Sequence, residues 1–379
     1  MIHVQGTRLT GIQKPPFITS LNVPSTLSFR AVGGAWELTF DVSIEDRNRR
    51  TRRNFTVSDL REMFDTWLGH TVIEKSAGIV WDGFISEMEL VSTSSFLPMI
   101  YKRTLLGTEA NATRDQPAFF NRVRVKDKDD NFTAWAENAS SIAQFGVREL
   151  QIVVDASNRS ATLAQQLRDA VLANVGYPRQ YALGIGRADT PATISITARG
   201  FISTAERRKM NTSGSSFVSI GDELASIINT KCDHLTVGHI ATNSTLVKSD
   251  YSEQQNAYQA IQSLLQYPDS NGNRFELTVK DGNVFYQPRI NTPQFFITKY
   301  GFSKRLGSRA AITAREMTTG IYRDVTARSG KLVGSAFERS SDIYVTEISI
   351  DSTNDVPSIQ TAGELPLTDL FVTDSEANI

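Results

Sequence analysis

The sequence predicts an α+β protein, mainly β, with several domains: β-barrel-like units and α/β insertions. Three observations carry that expectation. The chain has 379 residues, more than one core organises at roughly 100 to 200 residues per domain. Runs of strict apolar–polar alternation recur, most clearly from Trp36 to Ile44, and a period of two marks a strand with one buried face. Helical periodicity appears only in short segments with their own cap residues, as expected of helices packed singly on sheets.

After a loop carrying Pro15 and Pro16, Trp36 to Ile44 is the clearest strand. Ser58 to Leu68 sets Leu60, Met63, Phe64, Trp67 and Leu68 on one helical face, with Ser58 as N-cap and Gly69 as terminator. Ile79 to Ile85 and Met88 to Leu90 read as further strand, so residues 1–120 form an N-terminal β-barrel-like domain with one helix. Residues 121–190 read as a β-hairpin plus a helix. The strand Val123–Val125 turns at the polar run Lys126 to Asn131 and returns through Phe132 to Ile142. Ser160 then caps a helix with Leu163, Leu167, Ala170 and Val171, closed by Gly176 and Pro178, and Leu183 to Arg187 with Pro191 forms a boundary.

Residues 191–292 read as an α+β domain. It opens on the strand Ile194–Ala198 and continues with a helix capped by Ser219 before Leu224, Ile227 and Ile228. Ser252 caps a second helix before Tyr258, Ile261 and Leu264, and a hairpin turns at Asp281-Gly282 between Phe275–Lys280 and Val284–Tyr286. Residues 293–354 form a C-terminal β domain with strands at Tyr322–Arg328 and Ile343–Ile350. Residues 355–379 hold Asp355, Glu364, Asp369, Asp374 and Glu376, two prolines and no basic residue, and read as an extended acidic arm. Ala136–Ile142 and Phe337–Ile343 echo each other, as a duplicated β unit would.

Composition narrows function. A net charge of -1 steers the chain toward neither nucleic acid nor an anionic membrane, so specific nucleic-acid binding is not expected. One cysteine, Cys232, precludes an intrachain disulfide and a multi-cysteine zinc site, and fits a reducing compartment. No stretch approaches the roughly 20 apolar residues that span a bilayer, and Met1 to Ser20 lack a signal-peptide pattern.

Catalytic motifs are lacking. Cys232, His234 and His239 match no familiar zinc spacing, and Cys232 reads as a small hydrophobe. No Gly-x-Ser-x-Gly elbow appears. Gly184-Ile-Gly186 opens no helix and reads as a turn, while Glu87 and Glu89 share a strand face that reads as exposed sheet. No catalytic, cofactor or metal residue is assigned, and an enzyme is not expected. The conspicuous charges are Arg47, Arg49, Arg50, Arg52 and Arg53, a cluster between strand and helix. Solvated loop, phosphate binding and protein contact remain open for it; paired with Asp369, Asp374 and Glu376 of the acidic arm it is the candidate subunit contact. Arg207-Arg-Lys209 is a shorter run of the same kind.

Three passages resemble the tail hub proteins at the tip of tailed bacteriophages. One is Trp81–Ile85 downstream of the helix Ser58 to Leu68. The second and more specific is Asn121–Val125, Thr133–Trp135, Ala139–Glu149, then Leu163–Leu172 with Arg168 and Asp169. The third is the order strand, helix, helix, hairpin from Ile194 to Tyr286. The resemblance implies a homotrimeric ring of two barrel-like domains per subunit, joining the tail tube to tape-measure and receptor-binding fibre proteins. It places the chain in the virion tail after synthesis in the host cytoplasm. The second barrel is not assigned to residues 295–350. Two alternatives stand: a receptor- or carbohydrate-binding tail module using exposed Trp36, Trp67, Trp81 or Trp135, with Trp36 and Trp67 reading as core, and a tail-associated peptidoglycan hydrolase.

Overall fold

The computed structural model describes residues 1–288 except 9–18, 31, 48–52, 77–78, 93–98, 106–118, 154–155, 186–190, 211–212, 233–234, 253–254 and 281; beyond 288 it describes 293–298, 301–304, 321–324, 342–343, 345–351 and 354–361. Within these residues the protein is α+β and mainly β.

In chain order the first unit contributes β1 (Ile2–Arg8), β2 (Thr19–Leu21), β3 (Ser25–Arg30), β4 (Gly34–Ser43), α1 (Val57–Thr66), β5 (His70–Ser76), β6 (Ile79–Ser92) and β7 (Met99–Thr104). A small unit follows with β8 (Arg122–Val125), β9 (Ala136–Glu137), α2 (Ala139–Phe145), β10 (Glu149–Ile152) and α3 (Ala161–Val175). Next come β11 (Gln180–Ile185), β12 (Thr193–Arg199), a 3-10 helix at Phe201–Arg207, β13 (Ser213–Ser219), α4 (Ile220–Lys231), β14 (Thr236–Ile240), β15 (Leu246–Asp250), α5 (Ala257–Leu264), β16 (Phe275–Lys280) and β17 (Asn283–Pro288). The last described strands are β18 (Pro293–Thr298), β19 (Gly301–Lys304), β20 (Ile321–Asp324), β21 (Asp342–Ile343), β22 (Val345–Asp351) and β23 (Asn354–Thr361).

One large sheet dominates, in the order β2-β1-β5-β6-β12-β4-β3-β22-β23, with β7 and β11 branching from β6. The first half of β6 pairs with β5 and the second with β7, which opens the branch. The sheet curls far enough for the Trp81 indole on β6 to donate to the Ser28 carbonyl on β3 at 3.2 Å, although β12 and β4 lie between those strands. Its main core gathers Leu27, Phe29, Leu38, Phe40, Val42, Trp81, Phe84 and Met88, and α1 adds Leu60, Met63 and Phe64. A second core joins α4 and α5 to β16 and β17 and takes in Trp36, whose ring lies 5.5 Å from that of Tyr258. A third, smaller core packs Ala164 of α3 on Val123 and Val125.

The alternating segments are strands as expected, but their neighbours differ. Thr193–Arg199, assigned from sequence to the 191–292 unit, lies inside the large sheet and pairs antiparallel with β4 on one side and β6 on the other. Residues assigned to the C-terminal β domain and the acidic arm also join it: β22 pairs with β3, and β23 folds back on β22 through residue 361. Leu183 and Gly184, expected at a boundary and a turn, belong to β11 and pair with β7. The expected hairpin of residues 121–142 is only two rungs long, and β10 pairs parallel to β8 on the other side. The second member of the echo, residues 337–341, lies outside the described residues.

Helix positions agree while their caps move. Thr56, not Ser58, caps α1: its hydroxyl accepts from the Asp59 N–H at 3.1 Å and the Asp59 carboxylate accepts back from the Thr56 N–H at 2.8 Å. That reciprocal box leaves Ser58 in the first turn. Asn256 with Gln259 likewise replaces Ser252 on α5, whereas Ser219 and Ser160 cap α4 and α3 as expected. In α3 Ala164 is the buried residue and Leu163 is exposed, because the helix sits on the small sheet by a narrow stripe.

Two glycines are required by close backbone approach. A Cβ at Gly200 would lie 1.8 Å from the Ala35 carbonyl, and one at Gly83 would lie 2.2 Å from that of Arg199. Gly200 also donates to the Trp36 carbonyl at 2.9 Å, which fixes the turn from β12 into the 3-10 helix. Gly200→Ala is expected to cost about 1–3 kcal/mol through forced displacement of β4, read as a lower urea midpoint at unchanged slope.

Candidate functional site

The arginine tip is described only at its ends. Arg47 and Asn54 form a backbone bridge, and the Arg53 guanidinium lies 3.4 Å from the Asp59 carboxylate at the start of α1. Desolvation raises the Asp59 pKa, but the Thr56 hydrogen bonds and the Arg53 charge outweigh it and hold the carboxyl below its usual range. Arg49, Arg50 and Arg52, and Asp369, Asp374 and Glu376 of the arm, lie outside the described residues.

Other candidates resolve into structural parts. Cys232 is buried at the C-terminus of α4, His239 lies on β14, and residue 234 is outside the described residues. Among the described residues no group of three or more His, Cys, Asp and Glu side chains could hold a metal ion. Glu87 pairs across strands with Lys102 at 2.6 Å. Trp36, Trp67 and Trp81 are buried, and Trp135 is covered by Arg122 and Arg124 at 4.8 and 4.5 Å from its ring centroid. None of the four forms an open aromatic platform.

Burial brings together charges that are distant in sequence. Glu149 on β10 is buried, and its Oε1 accepts from the Arg122 guanidinium at 2.8 Å and lies 3.4 Å from Arg208 Nε. Its Oε2 accepts from the Lys209 N–H at 2.9 Å. Arg208 in turn donates to the Thr230 carbonyl in the last turn of α4 at 3.3 Å, so one carboxylate ties the small unit to the second core. Nearby, Arg148 donates to the Phe119 carbonyl at 3.2 Å and stacks on its ring. Burial lowers the Arg148 pKa well below the ordinary range, with Arg207 adding to that and Glu206 opposing it. Burial also lowers Arg207, to about 10. Glu206 shows part of its side chain to solvent, yet the protein packed around its carboxyl raises its pKa against the pull of Arg199, Arg207, Arg30 and Arg148. The run Arg207-Arg-Lys209, left open from sequence between solvated loop, phosphate binding and protein contact, is therefore part of an internal seam. Its partner Glu149 stands 60 residues earlier, a separation no local pattern reports.

The outward-facing features are sheet edges. Among the described residues β11 pairs with β7 alone, and Leu183 and Ile185 on it are 41% and 61% exposed. The two-stranded β13–β15 ribbon turns Val218 and Val247 toward α4 and leaves Phe217 and Leu246 67% and 62% exposed on the other face. An open groove of about 470 Å³ lies where α2 begins and α3 ends, lined by Asn138, Leu172, Asn174, Tyr177 and Arg179 among others. Sequence reading passed over both strands because Gly184 interrupts the alternation of one and Ser213-Gly-Ser-Ser216 opens the other.

No helix among the described residues is long and apolar enough to cross a membrane. No protein-family model matches the sequence, and no curated protein matches it. Among solved structures, the prophage MuSo2 43 kDa tail protein from Shewanella oneidensis aligns with 76% of this chain and 95% of its own, at 9% identity and a TM-score of 0.26. A superposition that loose carries no argument about function.

Proposed function

We propose that the chain is a structural protein of a bacteriophage tail that works through subunit contacts and catalyses no reaction. Within the tail it forms the tip hub, a homotrimer joining the tail tube to tape-measure and receptor-binding fibre proteins. The observation that supports this most is the β11 edge, which among the described residues pairs with β7 alone and turns Leu183 and Ile185 to solvent. Unguarded apolar edges are suppressed in proteins that act alone, since they template association. The hub passages, above all Asn121 to Leu172, supply the tail setting.

The test is gold-labelled antibody against an epitope-tagged chain on intact particles. Label at the tail tip is expected, and label confined to the head, or particles free of the chain, would end the reading. Light scattering on the purified chain is expected to give about three times 42.0 kDa at high concentration.

A further inference from the structure

Among the described residues the large sheet has three ends, and two of them are blunted. β2 is only three residues long, and β23 carries Asp355 and Pro357. Short length, charge and proline are the usual protections of an edge, because proline has no N–H to offer and a charge resists burial in a ladder. β11 has none of these: Gln180-Tyr-Ala-Leu-Gly-Ile185 contains no charged residue and no proline. One side is paired with β7, from Gln180 opposite Arg103 to Ile185 opposite Met99 with the register shifting at Leu183, and no strand pairs with the other among the described residues. The space beside Gly184 is open, with nothing within 4 Å of where a Cβ would stand. A row of backbone donors and acceptors therefore faces outward between two exposed aliphatic side chains.

A strand that completes such an edge must itself be unpaired on one side, uncharged and apolar on one face. Among the described residues β13, Ser213-Gly-Ser-Ser-Phe-Val-Ser219, is such a strand: it pairs there with β15 alone, carries no charge, and exposes Phe217. Its neighbour β15 is a poorer donor because it carries Lys248 and Asp250. We infer that β11 of one subunit receives β13 of a second copy, continuing the large sheet across the subunit boundary. The inference rests on the assembly reading above and gives it a contact. Pairing of two different edges is head-to-tail, the kind of contact that closes rings when the rotation permits. Main-chain hydrogen bonds supply the register, and Leu183, Ile185 and Phe217 supply the apolar burial.

Two full-length variants, Ala182→Cys and Ser216→Cys, are mixed in equal amounts under mild oxidation; Cys232 is buried and does not compete. Disulfide-linked pairs joining an Ala182→Cys chain to a Ser216→Cys chain are expected to exceed either self-pair. Leu183→Lys and Phe217→Lys, both at exposed positions, are expected to shift the assembled protein to monomer with unchanged circular dichroism. Backbone amides of β11 and β13 are expected to exchange about tenfold more slowly in the assembled protein than in those monomers. Cross-linking restricted to Ala182→Cys self-pairs, a chain that stays monomeric at every concentration, or an assembly whose β11 amides exchange freely would each overturn the inference. An assembly with freely exchanging β11 leaves the tail reading standing, whereas particles lacking the chain remove the tail reading itself.

Discussion

Glu149→Gln is expected to destabilise the protein by about 3 kcal/mol, at the lower end of the cost of breaking a buried ion pair. The carboxylate is 2% exposed and faces Arg122, Arg208 and the Lys209 N–H at once. Glutamine keeps the shape but offers one acceptor and brings an N–H₂ group toward two guanidinium groups. Arg122 retains Glu137 at 2.7 Å and some solvent, which is why the lower figure applies; Arg208 is 8% exposed and donates to the Thr230 carbonyl at 3.3 Å. The control is Glu137→Gln, a surface partner of the same arginine, expected to cost no more than about 1 kcal/mol. Calorimetry on both variants gives the comparison. Equal, small losses would show that water solvates the seam and that it does not hold the small unit to the second core.

Trp81→Ala is expected to cost about 3–5 kcal/mol, the range for removing a large aromatic from a packed core. The side chain is fully buried, and its indole N–H reaches Ser28 on a strand that is not its neighbour. Removing it opens a void where the sheet curls on itself and deletes the hydrogen bond that spans the curl. Trp81→Phe separates the two effects: most of the apolar surface stays while the N–H is lost, for an expected cost of about 1–2 kcal/mol. If alanine and phenylalanine cost the same, the hydrogen bond and not the packing closes the curl.

Helix faces were legible because their information is local. Leu60, Met63 and Phe64 recur at helical spacing and are buried together. The caps slipped because several Ser, Thr and Asn residues within a few positions satisfy the same pattern, and only backbone geometry chooses among them. For the Arg207–Lys209 run the sequence left solvated loop, phosphate binding and protein contact open. Its burial depends on Glu149, which nothing nearby in sequence announces.

By itself the sequence determined that the protein is mainly β, where its most regularly alternating strands lie, and which face of α1 is buried. It also determined the tight turn at Gly282, where φ is +75° and Lys280 pairs with Asn283. Only the tertiary structure decided who neighbours whom: β12 entering between β4 and β6, β22 joining β3, and β11 pairing with β7. The reason is physical. Side-chain alternation specifies a face, and it is written residue by residue. Strand pairing is made by backbone N–H and C=O groups that nearly every residue carries alike, so the choice of partner emerges only when all the faces are packed at once.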